Sequence, residues 1–289
     1  MRLDDERESS NIDDERGSGG RGGGRAPLKI GIGGVLLAIG ALYFGVDPKI
    51  VFSLLEGSVS SGSQSAVVAP QPAQRPDLQR QFISRILAST EDVWTSYFQQ
   101  MGRTYHEPHL VLFTGATQSG CGYAQTSVGP FYCPADHKVY LDLAFFQELK
   151  NRLGAGGDFA QAYVVAHEIG HHVQNELGIM AQVEKQTSGM AERGATGASV
   201  RTELQADCFA GVWAKRANDA RQILQSGDVQ EGLNAASAVG DDRLERQGQG
   251  YVVPDSFTHG TSAQRVNWFS RGMQSGDIHQ CDTFSAPTL

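Results

Sequence analysis

The chain has 289 residues, 40% of them hydrophobic and 19% charged, enough for one large domain with a sizeable core. A formal net charge of −8 and a pI near 5.5, with no basic stripe along the chain, argue against a nucleic-acid partner.

Residues 1–27 alternate acidic side chains with Arg and then run into Gly-rich sequence, so they read as a disordered cytoplasmic leader with little to bury. Residues 28–46, LKIGIGGVLLAIGALYFGV, carry a single charge, Lys29, at the edge. Nineteen residues of helix span roughly 28 Å, close to the ~30 Å hydrocarbon thickness, which predicts one transmembrane anchor. Arg21, Arg25 and Lys29 precede the span, so the N-terminus is expected in the cytoplasm and the rest outside it. Residues 47–76 end in a Ser-, Gly- and Pro-rich linker. The folded domain is then 77–289.

In that domain an amphipathic helix is expected from Asp77 to Met101, with Asp77 as its N-cap. Short strands follow at Leu110 to Phe113, Phe131 to Cys133 and Lys138 to Leu143, and together they predict a small antiparallel sheet. Helices are predicted from Leu143 to Leu153 and from Phe159 to Leu177, the latter capped by Asp158. Further helices are placed at 200–217, 218–226, Val229 to Gln247 and Ser262 to Met273. The class is α+β and mostly helical.

The helix that follows Asp158 contains His167-Glu168-Ile169-Gly170-His171. Residues i and i+4 share a helix face, so both imidazoles can reach one Zn²⁺, and Glu168 can serve as general base and acid toward an activated water. Gln174 and Leu177 stand where a metzincin needs glycine and histidine, so a third ligand must come from elsewhere. Glu203 and Asp207 stand at i and i+4 among apolar neighbours. One can bind zinc while the other accepts a ligand histidine's ring N–H. His172 faces away from the ligand side and reads as a packed histidine. His259 is a candidate donor to substrate, and Arg265 reads as structural.

The blocks GDFAQAYVVAHEIGHHVQNELG, ELQADCFAGVWA and SFTHGTSAQRVNWF resemble the bacterial neutral zinc metallopeptidase family, from the leader to the C-terminus. More distantly, the pattern is similar to the gluzincins, including HtpX-like peptidases. The resemblance implies a zincin-like fold in which Glu203 is the third ligand and Asp207 supports a histidine.

The four cysteines, in an exported domain, favour disulfides. Cys121 with Cys133 and Cys208 with Cys281 are the expected pairs among three possible connectivities. The resulting expectation is a single-pass protein of the bacterial inner membrane, with its bilayer contact at 28–46 and an extracytoplasmic domain holding one Zn²⁺. It would hydrolyse peptide or protein substrates. The alternative is a zinc-binding membrane-anchored scaffold, non-catalytic or kept latent by residues 178–200.

Overall fold

The computed structural model describes residues 1–17, 76–186 and 191–289. The predicted anchor at 28–46 and nearly all of the linker lie outside the described residues. Among the described residues no helix is long and apolar enough to cross a membrane.

Strand β1 (Ile12–Asp14) is followed by helix α1 (Leu78–Gln100), strand β2 (His109–Phe113) and a hairpin of β3 (Ala116–Ser119) and β4 (Gly122–Gln125). Then come β5 (Phe131–Cys133), β6 (Lys138–Asp142), α2 (Ala144–Asn151), α3 (Asp158–Glu176) and α4 (Ile179–Gln186). Four helices complete the domain: α5 (Ala198–Arg221), α6 (Asp228–Ala238), α7 (Asp241–Gln249) and α8 (Ser262–Ser275).

The larger sheet has the order β1-β2-β6-β5. It is mixed, not antiparallel as expected: β1 and β6 both run parallel to β2, and only β5 opposes its neighbour. The expectation of an antiparallel sheet missed the two parallel pairings because strand patterns carry no direction. The β3–β4 hairpin and β5 intervene, and they return the chain so that β6 enters alongside β2.

The leader is the second correction. Residues 1–17 are packed onto the domain, and Ile12, Asp13 and Asp14 pair with Leu110, Val111 and Leu112. Glu91 of α1, 1% exposed, accepts hydrogen bonds from Arg7 Nη2 (2.7 Å), Ser9 Oγ (2.5 Å) and Asn11 Nδ2 (2.8 Å). A buried carboxylate needs such donors, and here the N-terminal segment supplies them. A single membrane crossing between β1 and β2 would put two strands of one sheet on opposite faces of the bilayer. The ordered, paired residues 1–17 replace the disordered segment that was expected there.

Helix limits differ in detail. Asp77 caps α1 as expected, accepting from the Arg80 N–H at 2.9 Å. The N-cap of α3 is Gly157, with Asp158 in the first turn, where its charge still favours the helix dipole. Residues 198–221 form one helix where two were expected. The single helix expected from Val229 breaks at Val239-Gly240 into α6 and α7.

The core lies between α1, α3, α5 and α8, around Trp94, Phe159, Phe209, Trp213 and Phe269, each at most 1% exposed. Trp213 Nε1 donates to Ser89 Oγ at 3.2 Å and ties α5 to α1. Two glycines set the helix spacing that the site depends on. A Cβ on Gly170 would lie 2.9 Å from the Ala206 carbonyl oxygen, so α3 and α5 touch backbone to backbone there. A Cβ on Gly272 would overlap the Cys208 carbonyl oxygen, so α8 presses still more closely on α5. Both disulfides form as expected, Cys121–Cys133 and Cys208–Cys281.

Candidate metal centre

The close approach at Gly170 sets the two motifs facing each other. His167 and His171 on α3 meet Glu203 on α5, with one ligand atom from each lying within 4.8 Å of the others. His167 Nε2 is 3.1 Å from Glu203 Oε2, and His171 Nε2 is 3.4 Å from Glu203 Oε1. Two imidazole nitrogens and a carboxylate oxygen on one point form the His₂Glu set that suits zinc, so the residues fit that metal.

The far side of each ring fixes its tautomer. His167 Nδ1 lies 2.9 Å from Asp207 Oδ1, and His171 Nδ1 lies 2.9 Å from Gln174 Oε1. The Gln174 amide is itself oriented, because its Nε2 donates to Thr202 O (2.8 Å) and Gln205 Oε1 (3.0 Å). Its oxygen is therefore the atom that faces His171. With both Nδ1 protons directed at acceptors, both Nε2 atoms face Glu203 and the cleft, and a cation that displaces their protons would meet the Nε2 lone pairs.

Asp207 is fully buried and gathers three further donors. Arg265 binds it with both Nε (2.8 Å) and Nη2 (2.9 Å), and the Tyr163 hydroxyl donates at 2.5 Å. Burial alone would raise the Asp207 pKa, but the Arg265 guanidinium and His167 outweigh it and hold it near 2. Burial likewise disfavours charge on His167, yet Asp207 and the hydrogen bond to Glu203 raise its pKa to about 10. Glu203, burial notwithstanding, is held well below the usual range by the two histidines. The strong binding of positive charge between these groups is what a divalent cation would exploit.

Glu168 is 8% exposed, lines the cleft above the site, and makes no hydrogen bond with the described residues. Both of its oxygens are left for water or a peptide nitrogen. His172 is packed as expected: Nε2 meets His106 O at 2.7 Å, Nδ1 meets the Tyr132 hydroxyl at 3.1 Å, and burial drives its pKa down to about 4. Arg265, expected to be structural, is the clamp on Asp207.

His259 lies apart from the ligand set but lines the same cleft, which encloses about 480 Å³. Its Nδ1 is 3.1 Å from Asp241 Oδ1. Asp241 also receives the backbone N–H groups of Thr258, His259 and Gly260 at 2.6–3.0 Å, which fixes the loop. Tyr163 and Asp241 were not singled out from sequence, and Gln174 was noted only as a departure from the metzincin pattern. Gln174 stands at i+3 from His171, a spacing that could have marked it, whereas Asp241 is remote in sequence and carried no such signal.

The chain is 50% identical to the uncharacterized protein YpfJ of Escherichia coli K12, over 98% of this chain and 99% of that protein. It is 42% identical to the uncharacterized protein Rv2575 of Mycobacterium tuberculosis H37Rv, over 86% of each. No solved structure matches it. The family model described as "Putative neutral zinc metallopeptidase" matches residues 1–284, and the chain belongs to that family.

Proposed function

We propose that this protein is a zinc endopeptidase of gluzincin type, in which His167, His171 and Glu203 hold the metal and Glu168 is the general base and acid. The observation that carries the reading is the convergence of three oriented donors beside a carboxylate with no other hydrogen-bond partner among the described residues. Zinc bound there would lower the pKa of a coordinated water toward 7 and polarise the scissile carbonyl. Glu168 then takes a proton from water and passes it to the leaving nitrogen, the two proton moves that amide hydrolysis requires. Asp207 and Gln174 keep the ligand rings in register, and Arg265 holds Asp207 ionised.

A substrate can enter as an extended chain. Strand β5 is at the edge of its sheet, and its residues Phe131 and Tyr132 line the cleft, so a peptide has a strand to lie against. We also place the domain outside the bacterial cytoplasm, at the inner membrane. Two disulfides suit an oxidising compartment, and the apolar run 28–46 offers a bilayer contact.

The test is metal content and peptide hydrolysis of the purified protein. About one zinc per chain, hydrolysis lost on chelation, and activity restored by added zinc are the expected results. Zinc bound without hydrolysis of any peptide would leave a non-catalytic zinc module. A folded protein that takes up no zinc would end the proposal.

His259 is assigned to the developing oxyanion, and this has its own signature. The hydrogen bond to Asp241 raises the His259 pKa, and only the protonated ring can donate from Nε2 while Nδ1–H is held by Asp241. Activity should therefore fall as pH rises through that pKa. Asp241→Asn removes the negative partner, lowers the His259 pKa and moves the alkaline limb of kcat/KM to lower pH. His259→Ala should cost about 10²-fold in kcat with zinc content unchanged. An alkaline limb that stays in place in both variants would remove His259 from this role.

A further inference from the structure

Resting on the peptidase reading, we infer that the cleft selects unfolded polypeptide carrying a bulky apolar side chain next to the scissile bond. Beyond the reaction centre, the walls of the cleft are apolar. Val128, Phe131 and Phe145 come from the strand side, and Val239 and Leu244 from the helical side. None of these five is fully buried. Val128 is 64% exposed and Leu244 37% exposed, and large hydrophobic groups left open beside a binding site mark a surface that a ligand covers.

The charged groups of the cleft point the same way, because each except Glu168 is already committed. Glu203 faces the two ligand histidines, Arg265 is spent on Asp207, and His259 is held by Asp241. Among the lining residues only Glu168 has a charge free of such a partner, and it stands at the reacting bond. An acidic side chain entering beside the bond would lose its hydration and find no free counter-charge, and a basic one would meet only Glu168, the carboxylate that the reaction itself uses. A leucine, methionine or phenylalanine side chain would instead cover the exposed walls and leave water itself. In folded proteins such side chains are mostly inside, so the accessible source is an unfolded or unstructured chain.

The apolar wall is also held in place. Val128, Pro130 and Phe131 sit within the segment closed by the Cys121–Cys133 disulfide. The Phe131 ring stacks on Tyr140 with centroids 4.9 Å apart. Phe145 lies against Gly129, where an added Cβ would be 3.6 Å from its ring. A wall fixed at three points discriminates by fit, whereas a loose loop would adapt to any side chain.

The test uses full-length zinc-loaded protein and two peptides that differ only in having Leu or Asp beside the cleaved bond, together with Val128→Asp and Leu244→Lys. Both substituted side chains are at the surface, so folding should be retained. The Leu peptide is expected to have kcat/KM at least tenfold higher, and each variant should lower that value at least tenfold while leaving zinc content unchanged. Binding is read separately on Glu168→Gln by fluorescence anisotropy with the same peptides labelled. There the Leu peptide should bind at least tenfold more tightly. Tenfold tighter binding with no cleavage by the unmodified protein would keep the selectivity and sink the catalytic reading. Equal binding of the two peptides, or variants that leave the preference intact, would overturn the selectivity whether or not cleavage occurs.

Discussion

Replacing Glu168 by Gln is expected to reduce peptide hydrolysis by about 10²- to 10⁴-fold while the zinc content and the melting temperature stay near those of the unmodified protein. The amide has the shape of the carboxylate but cannot accept and return a proton. Glu168 makes no hydrogen bond with the described residues, so no packing contact depends on its charge. That separates it from Asp207, whose removal would leave Arg265 and the His167 ring without their buried partner and would disturb folding and metal together. The measurements are zinc per chain, melting temperature and kcat on one peptide. Retention of more than a tenth of the activity would move the base elsewhere, with His259 the next candidate. Loss of zinc would mean that Glu168 helps to hold the metal.

The metal centre was legible in the sequence because its chemistry is local. His167 and His171 share a helix face by spacing alone, and so do Glu203 and Asp207. The apolar residues around the second pair require that it be partnered. That the two helices meet face to face is not written in either motif. It depends on Gly170, which lets α3 reach the Ala206 backbone, and on Gly272, which lets α8 set Arg265 over Asp207. A glycine in a helix pattern looks like a weak position until its neighbour is known. Asp241 was missed for a related reason. It sits in a polar stretch, Gly240-Asp241-Asp242-Arg243, whose solvated appearance hides a carboxylate that collects three backbone N–H groups from residues 258–260.

The sheet was less legible, and the reason is the source of its stability. Strand β1 is three residues, Ile-Asp-Asp, set in a run of charges with only Met1, Leu3 and Ile12 to bury. Its own pattern predicts nothing. What holds it is the partner: a free edge on β2, the carboxylate of Glu91 in need of donors, and Asp13 bridging to Lys138 Nζ at 2.9 Å on β6. Composition rules judge a segment by what it can bury, and they fail where a segment serves mainly to satisfy groups that another part of the chain has buried.

Strand β1 therefore leads to the last prediction, which concerns which side of the membrane it occupies. Deleting residues 2–14 would uncover the edge of β2 and the sites of Leu3 and Ile12, each worth about 1.5–3 kcal/mol when fully buried, so the melting temperature should fall steeply. The paired change Ser9→Ala and Asn11→Ala leaves the segment in place but takes two donors from Glu91, at about 1–3 kcal/mol for a buried carboxylate left short of partners. If the strand matters to this extent, it must fold in the same compartment as residues 76–289. Asp4, whose side chain is 97% exposed, and Tyr251, 62% exposed, are suitable positions for a single introduced cysteine. With a membrane-impermeant maleimide, Asp4→Cys and Tyr251→Cys are expected to react alike in intact spheroplasts, which would put β1 and the metal centre outside together, with no net crossing between residues 17 and 76. Should Asp4→Cys react only after permeabilisation while Tyr251→Cys reacts before it, the chain crosses the membrane once. The exported domain would then fold with β2 as a bare edge and Glu91 without its N-terminal donors. The deletion should in that case change neither stability nor activity, so the two experiments must agree.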